Sequence, residues 1–100
     1  MIAPYTPYAD WAFRCYLQTG QRPERFPTHA KEANWDSCEK VFKQATPFKQ
    51  TVMKNVYISS GTVRDAVIET AKQLNVPEPA VWKIISWARR NFAVERGLDG

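Results

Sequence analysis

The stretch Val67–Trp87 reads VIETAKQLNVPEPAVWKIISW, and its spacing decides how the chain folds. Val63, Ala66, Val67, Thr70, Ala71 and Leu74 recur at the three- and four-residue intervals of one helix face. Asn75 follows, a residue that tolerates the left-handed backbone better than most. Val76-Pro77-Glu78-Pro79 then restarts the chain, because proline is tolerated in a first helical turn and Glu78 suits a positive helix N-terminus. Val81, Ile84, Ile85, Ala88 and Phe92 mark the buried face of a second helix. Two helices that cross closely need a small residue at the crossing, which Ala71 supplies. Four residues later they need a turn residue that accepts positive φ, which is Asn75. Val76 is the apolar plug beyond the turn, and Val81 with Ile84 anchor the second helix across the first. The intervals are those of a helix-turn-helix, and a plain helical hairpin shares the same packing logic.

Working outward, the same signals predict an all-α chain of about five helices. Met1–Pro7, with two prolines and one tyrosine, reads as an extended arm. A first helix is expected over Tyr8–Thr19, with Tyr8, Trp11, Ala12, Cys15 and Tyr16 on one face, Phe13 and Leu17 on a second, and Gly20 as its stop. Gly20–Pro27 is a loop. Thr28 caps the next helix and Glu32 supports its N-terminus; Ala30, Trp35, Cys38, Val41, Phe42 and Ala45 form its apolar stripe. Thr46-Pro47 is a cap followed by proline at the first helical position. Phe48, Val52, Met53, Val56 and Tyr57 give a third helical face, although Val52, Val56, Tyr57 and Ile58 also suit a strand. Ser59-Ser60-Gly61 breaks the pattern, and Ser60 or Thr62 caps the fourth helix. Arg89, Arg90 and Arg96 crowd the second half of the last helix, which Gly97 ends.

One hundred residues make one small domain, 1–100, with a helical brace over 1–45 and the helix-turn-helix half over 46–98. At 44% hydrophobic and 24% charged residues, global disorder is excluded, since disordered chains have few apolar residues and high net charge. Seven prolines and four glycines without a repeat exclude a fibrous chain, and apolar runs no longer than three residues exclude a membrane span. Met1–Tyr5 lacks the features of a signal peptide, and two cysteines without one predict a reducing, cytoplasmic setting. The net charge of +4 is mild, and each half of the chain, split at residue 50, holds seven basic and five acidic residues. The excess is compatible with an anionic partner, and no basic tail is present.

Catalytic chemistry finds no constellation here, and the chain is expected not to be an enzyme. His29 is the only histidine and sits beside the Thr28 cap. Cys15 and Cys38 lie on apolar faces and read as core thiols, too few and too far apart in sequence for a metal site. Glycines at 20, 61, 97 and 100 form no phosphate loop. Asp10, Asp36, Asp65 and Glu69 read as helix-surface charges. No cofactor and no metal are expected.

The residues from Ala45 to Leu98 carry a family resemblance. Val56-Tyr57 stands where a helix ends before a short loop, Leu74-Asn75-Val76-Pro77 forms the turn, and Ala80–Arg90 (AVWKIISWARR) is the second helix, closing on Arg89-Arg90-Asn91-Phe92. This pattern resembles region 4 of bacterial RNA polymerase sigma factors and the phage regulators related to it. Pro77 departs from the family's Ser or Thr cap. The resemblance implies a small sequence-specific DNA-binding transcriptional regulator of phage or mobile-element type, with a recognition helix of about 78–92 in the major groove of double-stranded DNA. In that class the N-terminal part of the recognition helix faces the bases. The base-facing positions are then Glu78, Ala80, Trp82, Lys83 and Ser86, with Lys83 donating to guanine, Glu78 accepting from cytosine and Ser86 serving either role. Arg64, Lys72, Arg89 and Arg90 are expected on phosphates. One small module gives limited affinity, so a homodimer is expected. The rival reading is a protein-binding inhibitor or adaptor of a host nuclease or RNA polymerase on the same fold, docking through the N-terminal half or an exposed Trp82. Trp11, Trp35 and Trp87 are expected in the core.

Overall fold

Helix ends in this chain are set by residues that satisfy backbone groups locally. The computed structural model describes residues 4–98 and shows an all-α fold: α1 (Thr6–Thr19), α2 (His29–Gln44), α3 (Pro47–Ile58), α4 (Val63–Leu74) and α5 (Glu78–Arg96). Thr28, Thr46 and Thr62 each cap a helix, their hydroxyls accepting from the backbone N–H groups of Lys31, Lys49 and Asp65 at 3.1, 3.3 and 3.1 Å. Thr62, and not Ser60, starts α4. α1 begins at Thr6, two residues earlier than expected, because Pro7 occupies its first turn, where a missing N–H costs no hydrogen bond. Of the expected extended arm, residues 1–3 lie outside the described region.

The C-terminal ends follow the same logic. Gly20 at φ 74°, Asn75 at φ 55° and Gly97 at φ 73° turn the chain into the left-handed region. At Asn75 the N–H bonds Lys72 O (3.3 Å) while that of Val76 bonds Ala71 O (3.0 Å), the paired closure of a Schellman motif. The same pair closes α5, from Gly97 to Val94 O and from Leu98 to Ala93 O. Over Val52–Ile58 the helix prevails over the strand. Its period puts Val52, Met53, Val56 and Tyr57 together on the buried side and leaves Ile58 exposed.

α5 packs against all four other helices, and one continuous cluster of buried residues draws on all five. At its centre Phe13 stacks on Tyr57 (5.2 Å between ring centroids) and meets Phe92 (5.6 Å). Ala66, Val67 and Ala71 of α4 and Val81, Ile84, Ile85 and Ala88 of α5 are buried, as their periodicity predicts. Asn34 is a buried polar side chain without a sequence signal. Its amide donates to Tyr8 Oη (2.8 Å) and its carbonyl accepts from Arg96 Nε (2.7 Å), joining α1, α2 and α5.

Four expectations are corrected. α1 buries Ala9, Ala12 and Phe13, so the face centred on Phe13 is the inner one and Trp11 stands 45% exposed. Cys15, on the same outer edge, is exposed rather than a core thiol. Ala30 and Phe48, at the first turns of α2 and α3, are also exposed. Trp87 is half-buried and not in the core, whereas Trp35 is buried as expected. The exposed Cys15 has a direct test. Cys38 is buried on α2, and burial, followed by the nearby Cys15, pushes its thiol far above the ordinary range. Iodoacetamide at neutral pH is expected to alkylate Cys15 in the native chain and Cys38 only after unfolding. Equal native reactivity of both thiols would count against this packing.

Candidate nucleic-acid interface

The α4–α5 pair holds the residues singled out for the crossing and the turn, a placement that a plain helical hairpin shares. Ala71 is buried at the crossing, Asn75 makes the left-handed turn, Val76 is half-buried against the core, and Val81 and Ile84 are buried anchors. With those residues inward, α5 turns another strip outward. Pro79, Lys83, Arg90 and Val94 are exposed along it and Ser86 is half-buried between them. Lys83 and Arg90 stand seven residues, or about 10 Å, apart along the axis. Half-buried tryptophans flank the strip, Trp82 on one side and Trp87 on the other.

The two tryptophans are held differently. Trp82 Nε1 donates to Glu78 Oε1 at 3.3 Å, and the Arg89 guanidinium stands 5.6 Å from its ring centre. Glu78, expected to accept from a cytosine, accepts this bond within its own helix turn and is exposed. Trp87 carries the ammonium of Lys49 from α3 at 4.2 Å over its ring. That contact places a further cation beside the α5 strip. Sequence reasoning missed Lys49, because nothing local ties α3 to α5 across 38 positions.

Arg89 is the main correction. Expected on a phosphate, it instead grips Asp10 of α1 with two hydrogen bonds, Nε to Oδ1 at 2.9 Å and Nη2 to Oδ2 at 2.8 Å. Both side chains are largely buried, 16% and 15% exposed. Tyr57 Oη donates to the same Asp10 Oδ1 at 2.8 Å. Burial works against the Arg89 charge, but the hydrogen bonds and charge of Asp10 outweigh it and hold the guanidinium above its ordinary value. Asp10 is thus no surface charge, and it neutralises one of the cations counted toward the basic end of α5. Arg64 and Lys72 of α4 are exposed, with Asp65 and Glu69 exposed on the same helix. Ala80 is half-buried at the edge of the strip.

Other chemistry is sparse. His29 is exposed in the first turn of α2, and among the described residues no group of three or more His, Cys, Asp or Glu is placed to hold a metal ion. No helix among them is long and apolar enough to cross a membrane. No protein-family model, no curated protein and no solved structure matches this chain.

Proposed function

We propose that the chain is a small sequence-specific DNA-binding transcriptional regulator that places the N-terminal part of α5 in the major groove. The observation that carries this reading is the outward strip of α5, uncovered by any other helix and bearing Lys83, Ser86 and Arg90. A helix about 10–12 Å across matches a major groove about 12 Å wide. Lys83 and Ser86 are the base-reading groups. Arg90, Arg64, Lys72 and the Lys49 that stands over Trp87 meet phosphates. Arg89 is left out of the contact set, because it is largely buried and its charge is paired with Asp10. The resemblance to sigma region 4 in the turn and second helix supports the same docking. A second copy, reading a half-site one helical turn away (about 34 Å), supplies the affinity that one module lacks.

Fluorescence anisotropy on random-sequence and selected duplexes tests the reading across a salt series. Binding is expected to weaken steeply between about 50 and 200 mM salt, because each phosphate contact releases counterions. Arg90→Ala is expected to weaken all sequences alike and reduce the salt slope by about 1, whereas Lys83→Ala relaxes preference at one base pair, costing about 1–3 kcal/mol there. Arg89→Ala, by contrast, acts on folding stability. Absence of binding to any duplex at about 50 mM salt overturns the proposal.

A further inference from the structure

The exposed ring of Trp11 and the loop between α1 and α2 have no part in the α5 strip, and the fold brings them together. A cleft of about 200 Å³ opens there, walled by Trp11, Tyr16, Phe26 and Trp35. The charged residues lining it are Arg25 and Lys31, both exposed, and no Asp or Glu lines it. Of the carboxylates around it, Glu32 and Asp36 bind Arg22 at 3.3 and 2.6 Å, Glu39 binds Lys43 at 2.9 Å, and Glu24 is exposed in the loop beside Arg25 without lining the cleft.

The cleft is built before any ligand arrives. Arg22 ties the loop to α2 through that double ion pair and stands 5.1 Å from the centre of the Phe26 ring, and Phe26 packs on Trp35 at 6.0 Å. Pro23 and Pro27 stiffen the loop on either side of Phe26. Trp35 Nε1 donates to Glu39 at 3.2 Å, so the indole's polar atom is satisfied and its ring serves as an apolar wall. A preformed wall avoids much of the ordering cost of association.

Size and charge select the occupant. Drug-sized ligands and cofactors fill roughly 300–1,000 Å³, whereas a cavity of roughly 150 Å³ admits one benzene ring. The cleft therefore suits one aromatic group, with cations beside it for flanking carboxylates. A single nucleic-acid strand needs a row of cations along its backbone, and two do not make one. We propose that this cleft docks an acidic peptide segment of a partner protein, which inserts one aromatic side chain between Trp11, Phe26 and Trp35 and sets its carboxylates against Arg25 and Lys31. Tryptophan, tyrosine and arginine are the residues on which such interfaces concentrate their affinity.

The test uses the full chain and short fluorescein-labelled peptides of Asp and Glu built around a single Trp, Phe or Tyr. Saturable anisotropy is expected with at least one of them, lost when the aromatic anchor becomes Ala. Trp11→Ala and Arg25→Glu are each expected to weaken it about tenfold. Both replace exposed side chains, and circular dichroism checks that each variant folds. Failure of all three peptides to saturate, equal binding without the anchor, or indifference to both substitutions overturns the proposal. So does tighter binding of a labelled oligo-dT strand at the same site. Neither residue lies on α4 or α5, so failure here leaves the duplex-DNA reading standing.

Discussion

Asp10→Ala is expected to lower the unfolding free energy by about 3 kcal/mol, read as a shift of the urea midpoint at unchanged slope. The aspartate joins three helices, accepting from Arg89 of α5 twice and from Tyr57 of α3 once. Alanine leaves a largely buried guanidinium without its counter-charge and a fully buried phenol without its acceptor. Stranding a charge costs more than the pair contributes, so Asp10→Ala combined with Arg89→Ala should recover part of the loss. Tyr57→Phe removes one hydrogen bond and should cost only about 1 kcal/mol. A loss below about 1 kcal/mol for Asp10→Ala would show that the network carries no stability.

The same network has a pH signature on the alkaline side. Burial, followed by the charge of Asp10 and its hydrogen bond, raises the Tyr57 phenol well above its ordinary value of 10.0. The unfolded phenol ionises near its ordinary value while the folded one keeps its proton. The contribution of Tyr57 is therefore complete below pH 10 and declines as the pH rises from there toward the folded value. The Tyr57→Phe chain should lack that part of the decline.

Phe92→Ala carries the other large effect, a loss of about 4 kcal/mol. Phe92 is fully buried on α5 and packs against Phe13 and, at 6.2 Å, Tyr8, where α1 crosses α5. Truncation removes a ring's worth of burial and opens a cavity among aromatic walls that cannot collapse without moving α1. In a chain of this size each kcal/mol lowers the melting temperature by roughly 4–8 °C, so differential scanning calorimetry resolves the change easily. Phe92→Leu keeps most of the volume and should cost less than half as much. Near-equal losses for the two substitutions would mean that the aromatic packing is not what holds α1 on α5.

Much of the fold was legible because its signals are local. Thr28, Thr46 and Thr62 act on N–H groups three residues away, and Gly20, Asn75 and Gly97 act on carbonyls within the preceding turn. The inner faces of α4 and α5 were legible because each carries a single apolar stripe. α1 was harder. It is apolar over most of its circumference, so its own residues could not say whether Trp11 or Phe13 faced inward.

The candidate interface divides along the same line. Lys83 and Arg90 could be placed outward from periodicity alone, since the buried face of α5 determines its opposite. Arg89 could not be assigned that way. It lies on the flank of α5, where exposure depends on what stands beside the helix, and what stands there is Asp10, 79 positions earlier. Lys49 over Trp87 was hidden for the same reason.

By itself, then, the sequence determined most of the helix ends and the turn between α4 and α5, because capping and periodicity act within a few residues, while it left the segment that forms α3 open between helix and strand. The tertiary structure decided which cations of α5 remain available, which face of α1 is buried, and that Trp11 opens onto a cleft. Those outcomes depend on contacts between helices far apart in the chain, where packing geometry and the desolvation of charge choose among partners that local spacing leaves equivalent.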